Sequence, residues 1–152
     1  LGVVGCYQNH AGKLIGASAW ELWALMQKAN TEAMGLQYDI RHAVVEGGMS
    51  WENGLRLLHQ NIKVLAIKDF LWENKNGKYV VKNVPLGEGM VDFATYFRLL
   101  KQYVVNVPIS MHYEYDLGGA EHGSKTPKVD RQVIYDAMKR DLQKVKELWT
   151  QA

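Results

Sequence analysis

The stretch Gly35-Leu36-Gln37-Tyr38-Asp39-Ile40-Arg41-His42 decides how this chain is read. A short apolar, β-prone run, Leu36 to Ile40, opens directly onto the charged and imidazole side chains of Asp39, Arg41 and His42. The same succession occurs three more times. Val3 to Tyr7 leads into Gln8-Asn9-His10-Ala11-Gly12, Ile62 to Ile67 into Lys68-Asp69, and Val107 to Tyr113 into His112-Tyr113-Glu114-Tyr115-Asp116. The opening residues Leu1 to Tyr7 read as a strand already under way. Runs of this kind fit strands covered on both faces.

Between the strands the apolar residues change to helical spacing. A helix is predicted from about Ala17 to Ala29, with Ser18 as N-cap and Trp20, Leu22, Trp23, Leu25 and Met26 as a broad apolar face. A second, Ser50 to about Gln60, carries Leu55, Leu57 and Leu58, and a third, Val91 to Tyr103, carries Phe93, Tyr96, Phe97, Leu99 and Leu100. The last begins after Pro127, with Val133, Ile134, Met138, Leu142, Val145 and Leu148 on one face. Trp20, Trp23 and Trp149 are expected to pack.

Four strand-helix pairs predict right-handed βαβ units on a parallel sheet. An open doubly wound sheet and a closed barrel both fit. A polar cluster at the C-terminal end of every strand, with no Gly-rich dinucleotide fingerprint after the first, favours the α/β architecture of a TIM (β/α)8 barrel, whose strand ends converge on one site. A complete barrel takes about 250 residues. The 152 residues here are therefore read as the C-terminal half of one barrel domain, spanning 1–152. The chain starts at Leu1 rather than Met, so its N-terminus is expected upstream, and association of two half-barrels into a homo-oligomer is the other expectation. Localisation defaults to the cytoplasm, with secretion left open because a signal peptide would lie upstream.

The two longest connections are expected to cover the site, as long βα loops do in barrels. Phe70 to Gly89 holds a hairpin predicted to turn at Asn76-Gly77, then Val84-Pro85-Leu86-Gly87-Glu88-Gly89. Asp116 to Pro127 holds Gly118-Gly119-Ala120-Glu121-His122-Gly123.

Composition narrows the partners. A net charge of +2, with 18 basic residues scattered among 16 acidic ones, gives no basic stripe for nucleic acid. Cys6 is the single cysteine, which excludes an intrachain disulfide and a cysteine-based zinc cluster. No apolar run reaches the roughly 20 residues of a membrane span. A small molecule is the expected partner.

The strand-end clusters supply the candidate chemistry. Carboxylates at Asp39 and Glu114 are expected to hold a divalent cation, Mn, Mg, Co or Zn, which would polarise a carbonyl or stabilise an enediolate. Lys68 would reach a substrate oxygen or phosphate and stabilise an oxyanion. His10 and His42 titrate in the useful range for proton relay or hydroxyl binding. Competing structural readings are an Asp39 that caps a loop or pairs with Arg41, and a surface ion pair of Lys68 with Asp69. His59 and His112 read as structural. Trp51 and Trp72, nearer the strand-end edge, are candidates to stack on a sugar ring.

At five places in order, Tyr7-Gln8-Asn9-His10-Ala11-Gly12, Gly35 to Ala43, Ile67-Lys68-Asp69-Phe70, Pro85 to Phe93 and Ser110-Met111-His112-Tyr113-Glu114-Tyr115, the sequence resembles the xylose isomerase-like superfamily, in particular its sugar phosphate isomerase/epimerase branch. The resemblance implies a metal shell of glutamate, aspartate, histidine and glutamate at the strand ends, the two glutamates moving a proton between neighbouring sugar carbons. Asp39 and Glu114 match the aspartate and the second glutamate. Gln8 stands in the first glutamate's place, where it can still offer a neutral oxygen but cannot act as a general base, and Ala66 stands in the histidine's, where it offers nothing. The implied function is a metal-assisted sugar or sugar-phosphate isomerase or epimerase: Glu114, Lys68 and His42 catalytic, Gln8, His10, Arg41, Asp69 and Glu88 in contact with substrate, Asp39 and Glu114 on the metal. A carbohydrate-binding barrel without chemistry and a metal-dependent abasic-site endonuclease are the alternatives.

Overall fold

The computed structural model describes residues 2–152. The chain divides into two compact units, Leu1–Ile67 with Arg98–Ser110, and Lys68–Phe97 with Met111–Ala152. Leu1, the first residue of the expected opening strand, lies outside the described residues.

In the first unit, strands β1 (Gly5–Gln8), β2 (Met34–Asp39) and β3 (Ile62–Ile67) alternate with helices α1 (Ala19–Met26), α2 (Ile40–Gly47) and α3 (Trp51–Leu58). β1 runs parallel to β2 with Gln8 opposite Gln37. β2 runs parallel to β3 with Asp39 opposite Ala66. The strand β6 (Ile109–Met111) completes the order β1-β2-β3-β6. It is three residues long rather than the seven expected from Val107 to Tyr113. The α/β reading with a parallel sheet therefore holds.

The helices form where the caps direct them. Ser18 accepts from the Trp20 backbone N–H at 3.2 Å, as expected of an N-cap. Leu22 and Met26, one turn apart, form the buried stripe of α1. Trp20 and Trp23 lie off that stripe and face solvent, Trp20 with 67% of its surface exposed. Their expected packing role is thereby corrected. Helix α2 was not anticipated: Asp39 ends β2 and caps α2 at once, its Oδ1 accepting from His42 N at 3.1 Å. Gly54 lets α1 and α3 approach, since a Cβ there would come 3.0 Å from Ala19 Cβ.

The second unit opens with a hairpin, β4 (Asp69–Lys75) and β5 (Lys78–Val84), paired antiparallel from Asp69 opposite Val84 to Lys75 opposite Lys78. Asn76 (φ 54) and Gly77 (φ 80) both take the left-handed conformation that a two-residue type I′ turn demands. Most of the presumed loop from Phe70 to Gly89 is thus regular sheet, with the turn where the Asn-Gly pair placed it.

Helix α4 (Phe93–Gln102) starts where Asp92 Oδ1 accepts from Thr95 N at 3.0 Å. Its buried Phe97 meets Trp149 edge-on, ring centres 5.7 Å apart. Trp149 belongs to α5 (Arg131–Gln151), capped by Asp130. The buried stripe of α5 is Ile134, Ala137, Asp141 and Val145, whereas Val133, Met138 and Leu142 are exposed. The sequence pattern had rotated this face, because it counted apolar residues and Asp141 is not one. Burial of Asp141 is offset by Tyr115, whose hydroxyl donates to Asp141 Oδ2 at 2.8 Å, and by Arg140 at 2.9 Å. Tyr115, Leu117, Ile134 and Ala137 form a core beside this group. Among the described residues no helix is long and apolar enough to cross a membrane.

Candidate functional site

In the first unit the strand-end residues gather around Asp39, which is fully buried. Asn9, also buried, clamps the Asp39 backbone by donating to its carbonyl at 2.9 Å and accepting from its N–H at 2.7 Å. Gln8 donates its side-chain amide to Asp39 Oδ2 at 2.9 Å. A carboxylate has no proton to give, so the amide nitrogen must face it. His42 Nδ1 receives the Ala11 N–H at 3.2 Å and lies 3.1 Å from Arg41 Nη1. Both neighbours are donors, which assigns the proton of a neutral His42 to Nε2, the atom 3.8 Å from Asp39 Oδ2. The ring of exposed His10 lies against His42, centres 3.9 Å apart and planes tilted by 37°. Arg41 is buried beside His42.

Next to this cluster lies a cavity of about 230 Å³, lined by Asn9, Trp20, Tyr38, Glu46, Trp51 and Asn53 among others. Trp51 is buried in its wall, its carbonyl accepting from the Tyr38 hydroxyl at 3.3 Å. Burial, and then the neighbouring Asp39 charge, push the Tyr38 phenol far above its ordinary range, so it stays a hydrogen-bond donor.

In the second unit the centre is the pair Lys68 and Glu114. Lys68 Nζ donates to Glu114 Oε1 at 2.6 Å, with only 4% of the lysine side chain exposed against 35% of the glutamate's. Asn83, on β5, turns its amide nitrogen toward the Glu114 carbonyl at 3.3 Å and Oε2 at 3.4 Å. His112 Nδ1 is 3.6 Å from Glu114 Oε1. A half-exposed carboxylate backed by a buried ammonium and flanked by an amide and an imidazole can exchange a proton with a bound molecule while its charge stays balanced.

Asp69 does something different from the expected substrate contact or surface ion pair. It is buried and accepts four backbone N–H groups: Phe70 and Val91 on Oδ1, Gly87 and Gly89 on Oδ2, at 2.9 to 3.1 Å. Gly89 is required there, because a Cβ would collide with the Asp69 carboxylate. The carboxylate clasps the segment 85–91 against the base of the hairpin. Glu88, on that segment, is exposed. His59 is structural, as read: its ring stacks on Tyr103, centres 4.7 Å apart. Trp72 is exposed on β4.

Three residues were missed by sequence reading. His112 reads as structural from sequence yet stands beside Glu114, and a three-residue strand gives no period by which to orient it. Asn83 sits inside β5 with no motif to mark it. Asn9 had a signal, an amide in the first strand-end cluster, but nothing marked it as the clamp on Asp39.

A divalent ion asks for several oxygen or imidazole donors turned toward one point. In the first unit, Gln8 turns N–H groups to Asp39, and Ala66, the partner of Asp39 on the neighbouring strand, offers no donor. In the second, the Lys68 ammonium already stands against Glu114. Among the described residues no three His, Cys, Asp or Glu side chains gather into a shell. The residues of each unit do not fit a divalent ion.

Comparison with known proteins bears on what this geometry belongs to. A family model described as Xylose isomerase-like TIM barrel matches residues 1–138. The chain belongs to this family. None of the curated proteins compared with it matches. Among solved structures, D-psicose 3-epimerase with D-tagatose from Clostridium cellulolyticum H10 superposes with a TM-score of 0.65 at 12% identity, covering 97% of this chain and 48% of that one. A xylose isomerase-like TIM barrel protein from Mycobacterium smegmatis in complex with magnesium gives 0.63 at 16% identity, covering 93% and 44%. A xylose isomerase domain protein from Planctomyces limnophilus gives 0.59 at 19%, covering 92% and 46%. At these identities the likeness is one of fold. This xylose isomerase-like chain thus spans a little under half the length of those structures and corresponds to part of a barrel.

Proposed function

We propose that the protein to which this chain belongs is a sugar isomerase or epimerase that moves a proton on a carbon next to a carbonyl. The observation that carries the proposal is the pair Lys68 and Glu114, a half-exposed base on a buried cation at the end of a barrel strand. In this reading a Glu114 oxygen takes the proton. The C–H electron pair forms the C=C bond of an enediolate, and the carbonyl oxygen takes up the negative charge. Return of the proton to the neighbouring carbon, with the hydroxyl proton passing between the two substrate oxygens, gives the isomer; protonation of the opposite face by a second acid, with Glu114 releasing its proton to solvent, gives the epimer. Asn83 and His112, in the same unit as Glu114, are proposed to meet the substrate oxygens. The fold shared with an epimerase holding D-tagatose supports a hydroxylated carbonyl compound as substrate. Asp39 and Glu114, where a divalent ion is expected from sequence, both face protein donors.

The test is to incubate the full-length protein with a panel of ketoses and aldoses in D₂O and follow loss of C–H signals by NMR. The expected result is exchange by the wild type and a fall of about 10²- to 10⁴-fold in Glu114→Gln, with sugar affinity nearly unchanged. A Glu114→Gln protein exchanging at the wild-type rate would reject the base. Stabilisation by a sugar without any exchange in the wild type would instead establish a carbohydrate-binding barrel.

A further inference from the structure

The enediolate of that reaction needs a positive charge beside it, and the second unit shows where one is built in. Resting on the isomerase or epimerase reading, we infer that Lys68, rather than a divalent cation, is the resident cation of this site, and that the site works free of metal. The first support is the pair itself. Lys68 is almost entirely buried, and a buried ammonium needs a charged or strongly polar partner, which Glu114 Oε1 provides at 2.6 Å. An ion binding that oxygen would have to displace the ammonium or bear its repulsion at close range.

The second support is independent and lies in the first unit. Asp39 is closed by donors rather than opened toward a ligand: Oδ1 caps α2 through His42 N, and Oδ2 receives the Gln8 amide. The neighbouring position on β3, Ala66, carries no donor. An amide turned by its N–H to the carboxylate, and a His42 ring whose Nε2 proton lies on the Asp39 side at 3.8 Å, present donors rather than lone pairs and are not a set of ligands awaiting a cation.

The ion pair also serves the chemistry. Before reaction Lys68 is paired with the Glu114 carboxylate. As Glu114 takes the proton it becomes neutral, and the negative charge moves to the substrate oxygen. The ammonium then faces that oxygen with its charge no longer matched by Glu114. Net charge in the site is conserved through the step, and the lysine's three N–H groups allow it to hold both partners in turn.

The experiment has two arms on the full-length protein. In the first, chelator-treated protein without sugar is titrated calorimetrically with MnCl₂ and CoCl₂. No binding tighter than about 1 mM is expected. Micromolar binding that is lost in Asp39→Ala or Glu114→Ala overturns the inference whatever the sugar assays give. In the second, exchange into the sugar that responds in D₂O is measured with and without EDTA. An unchanged rate is expected, with a fall of about 10²- to 10³-fold in Lys68→Met and partial recovery in Lys68→Arg, all variants being checked for an unaltered unfolding profile. A rate abolished by EDTA and restored by Mn, or a Lys68→Met protein as fast as the wild type, overturns it. Absence of exchange with every sugar sinks the isomerase reading instead, and the first arm still decides between lysine and metal.

Discussion

Four backbone amides converge on the two oxygens of Asp69, a carboxylate that alanine could not replace without leaving buried donors unmatched. Asp69→Ala is expected to lower stability by about 2–4 kcal/mol, less than the full loss of four bonds because part of the segment can turn to water. The exposed Glu88→Ala should change it by under about 0.5 kcal/mol. Urea unfolding of the two variants measures the contrast, and equal effects would show that the clasp holds nothing. Sequence reading had given both acids the same task, since residue type and place after a strand do not reveal how many N–H groups return from 18 to 22 positions further on. The Lys68 and Glu114 pair was partly legible: each was expected at a strand end, but their mutual contact spans 46 positions. Gln8 and Ala66 were recognised as departures, and the structure adds the direction in which the amide points.

Among the elements, the hairpin was the most readable because its turn is chemically determined. Asn76 and Gly77 are the residues that tolerate positive φ, and they sit where β4 reverses into β5. Gly77→Val, placing a β-branched side chain at φ 80, is expected to cost about 1–2 kcal/mol. A thermal melt would show it, and proton exchange on the sugar should be unaffected. Helix α2 was not readable. Its residues Ile40 to Gly47 offer helical spacing only at Ile40, Ala43 and Val44, a single turn interrupted by Arg41 and His42, and what starts it is the Asp39 side chain, already assigned to the site. For α5 the register of the buried face was lost, because the stripe runs through Asp141, tolerable only where Tyr115 and Arg140 meet it. Where local chemistry dictates the backbone, the sequence suffices. Where a polar group from elsewhere makes burial acceptable, it does not.

For the molecule as a whole, the buried phenol at Tyr115 links stability to pH. Burial, followed by its hydrogen bond to Asp141, raises Tyr115 above its ordinary value of 10.0. Tyr113 is raised too, by burial and then by the Asp141 charge. A raised acid is favoured as the neutral phenol in the folded state. Its contribution is complete below pH 10 and is lost as pH climbs beyond, when the unfolded chain ionises first. Urea midpoints measured from pH 7 to 11 are expected to fall above about pH 10. In Tyr115→Phe that fall should be shallower, with a loss of about 1–2 kcal/mol at neutral pH. An unchanged slope would show that Tyr115 is not the group responsible. The division of a four-strand α/β sheet and a hairpin-bearing unit between alternating segments of the chain was not foreseen, as apolar periodicity reports which residues are buried but not against which partners.

Side by side in the second unit stand two connections with opposite tolerance for growth. The hairpin ends in two residues at its tip, seven rungs from Asp69 along β4, and extra residues there would lengthen a ribbon without disturbing its base. The segment from Gly87 to Val91 has its spacing gauged by a single side chain, so one inserted residue would pull at least one amide off the carboxylate. Variation in length among descendants of this chain should therefore accumulate at the tip, while the clasped segment keeps its count, and new specificities would be grafted onto the ribbon first.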